Sequence, residues 1–171
     1  MFMSSMESSE ARNELFKLLY NTRAFITALP ISKYMATPNG IEFPSHTKGE
    51  SYCFLFFSDA VIADFNTLKN KFPINFEPRS CRITVYANDD FAAPKTNDAT
   101  LCHYTLMYTI DNQKQELRIY YNNAGEIIMH NGKDENKART EEIYNALIEV
   151  PMFKSIHQEF STLLKSVYKK S

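Results

Sequence analysis

The chain has 171 residues, of which 44% are hydrophobic and 13% aromatic. A chain of this length buries a core without metal or disulfide support. Its 19 basic and 20 acidic residues leave a net charge of −1, so no overall field attracts nucleic acid or acidic lipid. We expect a single domain spanning residues 1–171 that binds neither nucleic acid nor membrane.

Cysteine usage and the first residues of the chain bear on its location. Cys53, Cys81 and Cys102 fall in predicted strands without metal-binding spacing, a pattern typical of reduced core thiols in a cytosolic protein. The N-terminus shows no signal-peptide pattern, and no apolar run approaches the ~18 residues that a membrane span needs. These observations predict a soluble, cytoplasmic protein.

The first part of the chain combines a helix with a short strand. Residues 1–8 are polar, and we expect them to be disordered. Leu15 and Leu19 lie at helical spacing and predict an amphipathic helix that ends near Tyr20. Residues 24–29 are rich in β-forming side chains, which favours a short strand over an extension of the helix.

Two segments are predicted to be loops because prolines, glycines or polar residues interrupt any periodicity. Residues 30–50 contain three prolines and two glycines, which leaves room for at most a short strand at 41–43. Residues 88–100 are polar and without periodicity, as expected of a surface loop.

A strand, a helix and another strand are predicted between these loops. Residues 51–57 are apolar on both alternating faces, which predicts the central strand of a sheet. Ser58 is a candidate N-cap for the following helix, whose apolar stripe continues to Phe72 and is closed by Pro73. Residues 81–87 alternate again and predict the next strand.

The strongest pattern is a three-strand antiparallel meander over residues 102–130. Residues 102–110 place apolar side chains at even positions and mostly polar ones between them, so one face of the strand is expected to be buried. The polar run 111–115 is predicted as the first turn, and 122–125 as the second.

The chain ends in two predicted helices. Ile143, Leu147 and Val150 define the first, and Pro151 either interrupts it or opens the second. The second helix has the clearest amphipathic stripe, which includes Phe153, Ile156, Phe160 and either Leu163 or Leu164. Together the elements predict an α+β fold with an antiparallel sheet of five to seven strands, covered by N-terminal, middle and C-terminal helices.

Motifs for catalysis or cofactor binding are not found in the sequence. Its four glycines are too dispersed for a phosphate-binding loop. Cys102 and His103 are adjacent on a strand and therefore point to opposite faces, which disfavours a shared metal site. We expect no catalytic residues, no metal and no cofactor.

Four residues are candidates for binding. His103, Met107 and Tyr120 are predicted on the meander face opposite its core side, and His157 lies near the edge of the last apolar stripe. Aromatic side chains are enriched at interfaces, so this outer face is a candidate docking surface unless helices cover it. A pocket between the sheet and the C-terminal helices, with polar tips such as Tyr104, Tyr108 or His157, is the alternative.

Residues 13–72 resemble the N-terminal domain of the SseB (enhanced serine sensitivity) family. The similarity is carried by the helical residues 13–20, the segment 24–30 ending at a proline, and the strand 52–58 followed by a helix through Phe65. This resemblance implies an intracellular α+β module and supplies no catalytic residues. The order of elements is also similar to that of type III secretion chaperones.

The sequence favours a non-enzymatic protein-binding or adaptor domain, either chaperone-like or of the effector and immunity kind. The expected partner is another protein, and formation of a homodimer stays open. The alternative is a small-molecule-binding or hydrolytic domain with a pocket between the sheet and the C-terminal helices. The two differ in whether the residues facing the helices leave a cavity or fill the core.

Overall fold

A computed structural model describes residues 15, 18–19, 22, 25–27, 45–47, 50–86, 102–122 and 124–167. The strands are β1 (Phe25–Thr27), β2 (Ser45–Thr47), β3 (Glu50–Phe57), β4 (Ile74–Phe76), β5 (Arg82–Tyr86), β6 (Cys102–Ile110), β7 (Gln113–Tyr121) and β8 (Ile127–Gly132). The helices are α1 (Asp59–Phe65), α2 (Lys137–Leu147) and α3 (Pro151–Val167), with a 3-10 segment at Asn66–Asn70 after α1. The predicted α+β class is confirmed.

The strands form one antiparallel sheet in the order β1-β3-β5-β6-β7-β8, with β2 paired to β3 and β4 paired to β6. Among the described residues, the main order contains six strands, within the predicted five to seven, and β2 and β4 pair beside it. The predicted central position of β3 is wrong, because β5 and β6 occupy the middle of the order. The predicted short strand at β1 is confirmed.

The meander is confirmed, and its first turn is shorter than predicted. Strands β6 and β7 pair continuously from Cys102 opposite Tyr121 to Ile110 opposite Gln113. Asp111 and Asn112 alone form the connection, with φ angles of 53° and 62°. A two-residue hairpin turn of type I′ has positive φ at both positions, which Asp and Asn tolerate. The remaining polar residues of the predicted turn, 113–115, therefore belong to the strand.

Strand β4 was not predicted, because the helical stripe appeared to run to Phe72. The α-helix ends at Phe65 and continues only as the 3-10 segment. The Asn66 side chain then holds the backbone of Phe76, accepting from its N–H at 2.6 Å and donating to its carbonyl at 3.2 Å. These two bonds fold the chain back so that β4 pairs with the end of β6.

The core lies between the sheet and the helices. The Tyr104 ring of β6 contacts Phe153 and Phe160 of α3, and the apolar stripe of that helix is buried at Phe153, Ile156, Phe160 and Leu164. The Asp64 carboxylate on α1 accepts a hydrogen bond from the Met152 N–H at 2.9 Å, which satisfies one of the free donors at the start of α3. Pro151 is the first residue of α3, so it opens the helix and does not interrupt α2.

Helix α2 is fixed to the meander by Arg139. Its guanidinium contacts the carboxylate of Asp111 in the hairpin turn at 2.6 Å and that of Asp134 at 2.7 Å. The Asn136 side chain caps the helix by accepting from the Arg139 N–H at 3.0 Å. One arginine therefore ties the tip of the hairpin to the first turn of α2.

Leu15, Leu18 and Leu19 are helical, and Leu15 and Leu19 are buried in the core. The predicted disordered segment 1–8, the strand at 41–43 and the loop 88–100 lie outside the described residues. Among the residues that are described, no helix combines the length and apolar character needed to cross a bilayer.

Candidate ligand-binding cleft

A cleft of about 500 Å³ lies between helix α3 and the connection from β7 to β8. This volume falls within the range of small-molecule sites. Its walls are formed by backbone and side chains of both elements: Ala124, Gly125, Glu126, Ile127, His157, Ser161 and Lys165. We refer to these seven residues as the α3 cleft.

The wall formed by the β7–β8 connection is held by Asn122. Its side-chain oxygen accepts from the N–H groups of Ala124 at 2.9 Å and Glu126 at 3.1 Å. The Asn122 N–H in turn donates to the Glu126 carbonyl at 3.1 Å. Asparagine favours such local side-chain to backbone bonds in turns, and this wall of the cleft is therefore preformed.

The turn and the helix touch at Gly125 and Ser161. Gly125 has a φ of +80°, and a Cβ atom added there would lie 2.7 Å from Ser161 Oγ and 2.8 Å from Ser161 Cα. Those separations are too short for any side chain, and the left-handed backbone also favours glycine. Both residues line the α3 cleft at this close approach.

His157 lines the cleft, and its ring also contacts the sheet and a neighbouring residue of α3. Its Nδ1 atom lies 3.3 Å from the hydroxyl of Tyr121, and its ring stacks on Phe153 with an interplanar angle of 9°. Partial burial lowers the pKa of the His157 imidazole. At neutral pH the ring is therefore neutral. If the Tyr121 hydroxyl donates to Nδ1, the proton is on Nε2.

The helix side of the cleft carries three polar groups in one row. His157, Ser161 and Lys165 are spaced four residues apart, so they lie above one another on one face of α3. Within the described part of the chain, the side chains of Ser161 and Lys165 make no hydrogen bond or ion pair. The row therefore offers an imidazole, a hydroxyl and an ammonium group to a ligand.

Glu126 supplies the negative charge of the cleft. Its carboxylate accepts a hydrogen bond from the Asn122 amide at 3.1 Å and is otherwise exposed. Among the described residues, Glu126 and Lys165 form no ion pair with each other. A ligand in the α3 cleft can therefore contact both charges.

The residues predicted for the outer sheet face share that face but differ in exposure. His103 is only 5% exposed, while Met107 and Tyr120 are half-buried. Burial, together with nearby Arg118 and Arg82, lowers the pKa of His103 to about 4. His157 lies on the opposite side of the sheet, so the four predicted binding residues do not form one surface.

Of the three predicted pocket tips, only His157 lines the α3 cleft. Tyr104 and Tyr108 are each 1% exposed and are packed in the core. The Tyr104 ring contacts Phe57 edge-to-face, at a centroid distance of 5.1 Å. Burial raises the pKa of Tyr108 to about 12, so its hydroxyl stays protonated. Both tyrosines are core residues and not ligand contacts.

Cys81 and Cys102 are free and buried. The Cys81 thiol donates to the Met107 carbonyl at 3.4 Å, and burial raises its pKa to about 12. Burial also raises the pKa of Cys102 well above its usual value. Such thiols are poor nucleophiles. Within the described ranges, no group of three or more His, Cys, Asp or Glu residues is arranged to hold a metal ion.

Sequence reasoning missed Gly125, Glu126, Ser161 and Lys165 as cleft residues. The sequence places His157, Ser161 and Lys165 at intervals of four residues. Nothing in the sequence indicates what this side of the helix faces. Comparison of the chain with protein-family models, characterised proteins and solved structures gave no match. The similarity of residues 13–72 to the SseB family therefore stays a prediction.

Proposed function

We propose that this protein is a small-molecule-binding domain whose ligand occupies the α3 cleft. The observation that carries the proposal is the row of His157, Ser161 and Lys165 facing a preformed turn across about 500 Å³. Ligand sites are concave and hold a few convergent polar groups on a rigid frame. Here the frame consists of a helix and a turn braced by Asn122.

Binding is favoured over hydrolysis. No hydrogen bond joins Ser161 to His157 among the described residues, and the His157 Nδ1 atom faces the Tyr121 hydroxyl and not a carboxylate. A serine nucleophile needs an adjacent base that is itself oriented by a third group. The described residues of the cleft do not form that arrangement, so we propose binding without serine hydrolysis.

A fragment screen by NMR tests this proposal. Small polar molecules are added to ¹⁵N-labelled protein, and amide shifts are mapped on the sequence. We expect binders to perturb residues 124–127 and 157–165 together. A screen whose binders all map elsewhere, or that yields none, would reject the proposal. The blocking variant Ala124→Leu adds bulk to the cleft wall and should remove the shifts, with its fold checked by circular dichroism.

Protein binding through the outer sheet face is the second candidate, and the exposure of Met129 favours it. Met129 is 48% exposed and is the only large hydrophobic residue that is exposed among those whose side chains are described. It lies on strand β8 opposite Tyr120, at the end of the strand order. Methionine and aromatic side chains are enriched at protein interfaces.

Met129→Ser and Met107→Ala test the second candidate better than changes at buried His103. Pull-down from native host extract should lose a specific partner with either variant, while the thermal midpoint stays unchanged. Light scattering during size exclusion would show in the same samples whether the partner is a second copy. If both variants capture the same partner as wild type, the outer sheet face is excluded as the binding surface.

A further inference from the structure

We propose that the ligand of the α3 cleft carries an oxyanion, a carboxylate or a phosphate, that faces helix α3, and a hydroxyl that faces Glu126. This inference rests on the proposed function and adds the chemical class of the ligand. It follows from the distribution of donors and acceptors between the two walls of the cleft.

The helix wall is rich in donors. Lys165 has three N–H donors and no acceptor, and the Ser161 hydroxyl is free to donate to a ligand because it makes no other hydrogen bond in the described part of the chain. When the Tyr121 hydroxyl donates to Nδ1 across the 3.3 Å contact, the other ring nitrogen of His157 is also a donor. Three donors in a row match a group with several acceptor oxygens, and a positive ammonium favours that group as an anion.

The wall formed by the β7–β8 connection presents a hydrogen-bond acceptor instead of donors. The Glu126 carboxylate has acceptor capacity beyond the single bond it receives from Asn122. It repels an anion placed next to it and attracts a donor. A ligand that satisfies both walls therefore has its anionic end toward Lys165 and a hydroxyl toward Glu126.

His157 is the reporter for this arrangement. The groups around its ring are the Tyr121 hydroxyl from β7, the Phe153 ring from its own helix, and the charges of Glu126 and Lys165 on the cleft. An oxyanion beside the ring stabilises its protonated form, so binding should raise the pKa of His157. By linkage, the affinity for the oxyanion should increase as the pH falls through the raised pKa of His157 in the bound form.

Titrations of ¹⁵N-labelled full-length protein with four probes at constant ionic strength test the inference. The probes are acetate, glycolate, inorganic phosphate and glycerol. We expect glycolate to bind more tightly than acetate, and glycerol to bind most weakly. The affinities of phosphate and glycolate are compared to show whether the site prefers a phosphate or a carboxylate. Lys165→Gln should weaken binding of the anionic probes by roughly two- to fivefold, the range of an exposed ion pair.

Lys154→Gln is the matched control, because Lys154 is on the same helix but pairs with Glu149 at 2.7 Å outside the cleft. It should leave binding unchanged. If the probes bind in the cleft but glycerol equals glycolate and Lys165→Gln has no effect, the ligand class is wrong and the proposed function stands. If no probe shifts the cleft amides and the fragment screen also finds no cleft binder, both proposals fail.

Discussion

The hydroxyl of Tyr121 lies 3.3 Å from Nδ1 of His157 and links the last residue of strand β7 to helix α3. Tyr121 is fully buried, and its ring also contacts Phe160 edge-to-face with centroids 5.2 Å apart. The same tyrosine therefore packs in the core and orients an imidazole that faces the α3 cleft. Through this contact the apolar packing of the meander fixes the geometry of the candidate site.

Replacing Tyr121 with phenylalanine should lower the free energy of unfolding by about 0.5–1.5 kcal/mol, the usual net value of one hydrogen bond. It should also change the His157 tautomer, measured by ¹⁵N NMR of the ring nitrogens. Tyr108→Phe is the control. The Tyr108 hydroxyl is buried and has no hydrogen-bond partner among the residues that the structure describes, so its removal should not destabilise the protein. Equal losses from both variants would contradict a specific Tyr121–His157 bond.

Gly125→Ala should destabilise the protein and disrupt the cleft. The left-handed backbone at φ +80° costs alanine about 1–2 kcal/mol, and the new Cβ would overlap the backbone of Ser161 at 2.8 Å. Chemical denaturation measures the loss. Ser161→Ala, which changes the other side of the contact without adding atoms, should stay close to wild type. A stable Gly125→Ala protein would mean that the turn and the helix do not approach as described.

The stability of the fold should decrease below neutral pH because of His103. Its pKa is lowered to about 4 in the folded chain, against 6.5 for an ordinary histidine. Between these two values the unfolded chain binds the extra proton, so stability rises with pH in that window and is lost as the pH falls through it. The full effect is about 3 kcal/mol.

Urea unfolding of wild type and His103→Gln at pH 7 and pH 5 measures this effect. The difference in unfolding free energy between the two pH values should be smaller in the variant. Because His103→Gln also changes packing, only the pH dependence is compared and not the absolute stability. Identical pH dependence in both proteins would show that His103 titrates normally.

The two carboxylates that contact Arg139 should contribute differently to the free energy of unfolding. The side chain of Asp134 is 5% exposed and that of Asp111 is 60% exposed. Asp134→Asn should cost about 1–3 kcal/mol because it removes the charge from the buried partner of Arg139 and weakens a charge-assisted hydrogen bond. Asp111→Asn should cost less than about 1 kcal/mol, as exposed ion pairs do. Thermal and urea unfolding of the two isosteric variants provide the comparison.

The sequence was sufficient for the elements with long, regular periodicity. The alternation over 102–110 predicted strand β6 because a strand alternates its faces, and the stripe through Phe153 and Phe160 predicted α3. The three-residue strand β4 was missed because the side chain of Asn66, and not a hydrophobic pattern, sets its position.

The candidate site was less accessible to sequence reasoning, because it depends on two segments that are distant in the chain. The contact between Gly125 and Ser161 brings the two segments together, and no local sequence pattern predicts it. His157 was identified because it interrupts the edge of an apolar stripe. Tyr104 and Tyr108 were assigned to a pocket because their hydroxyls are polar, whereas their rings fill the core.

Calorimetry of the best-binding fragment with wild type and Ala124→Leu tests the central claim most directly. Ala124 lines the α3 cleft, and only its backbone N–H takes part in the turn, donating to Asn122. A larger side chain there should therefore obstruct the ligand while the turn is retained. We predict measurable binding heat with wild type and none with the folded variant. Equal affinity for both proteins would contradict the assignment of the cleft as the binding site.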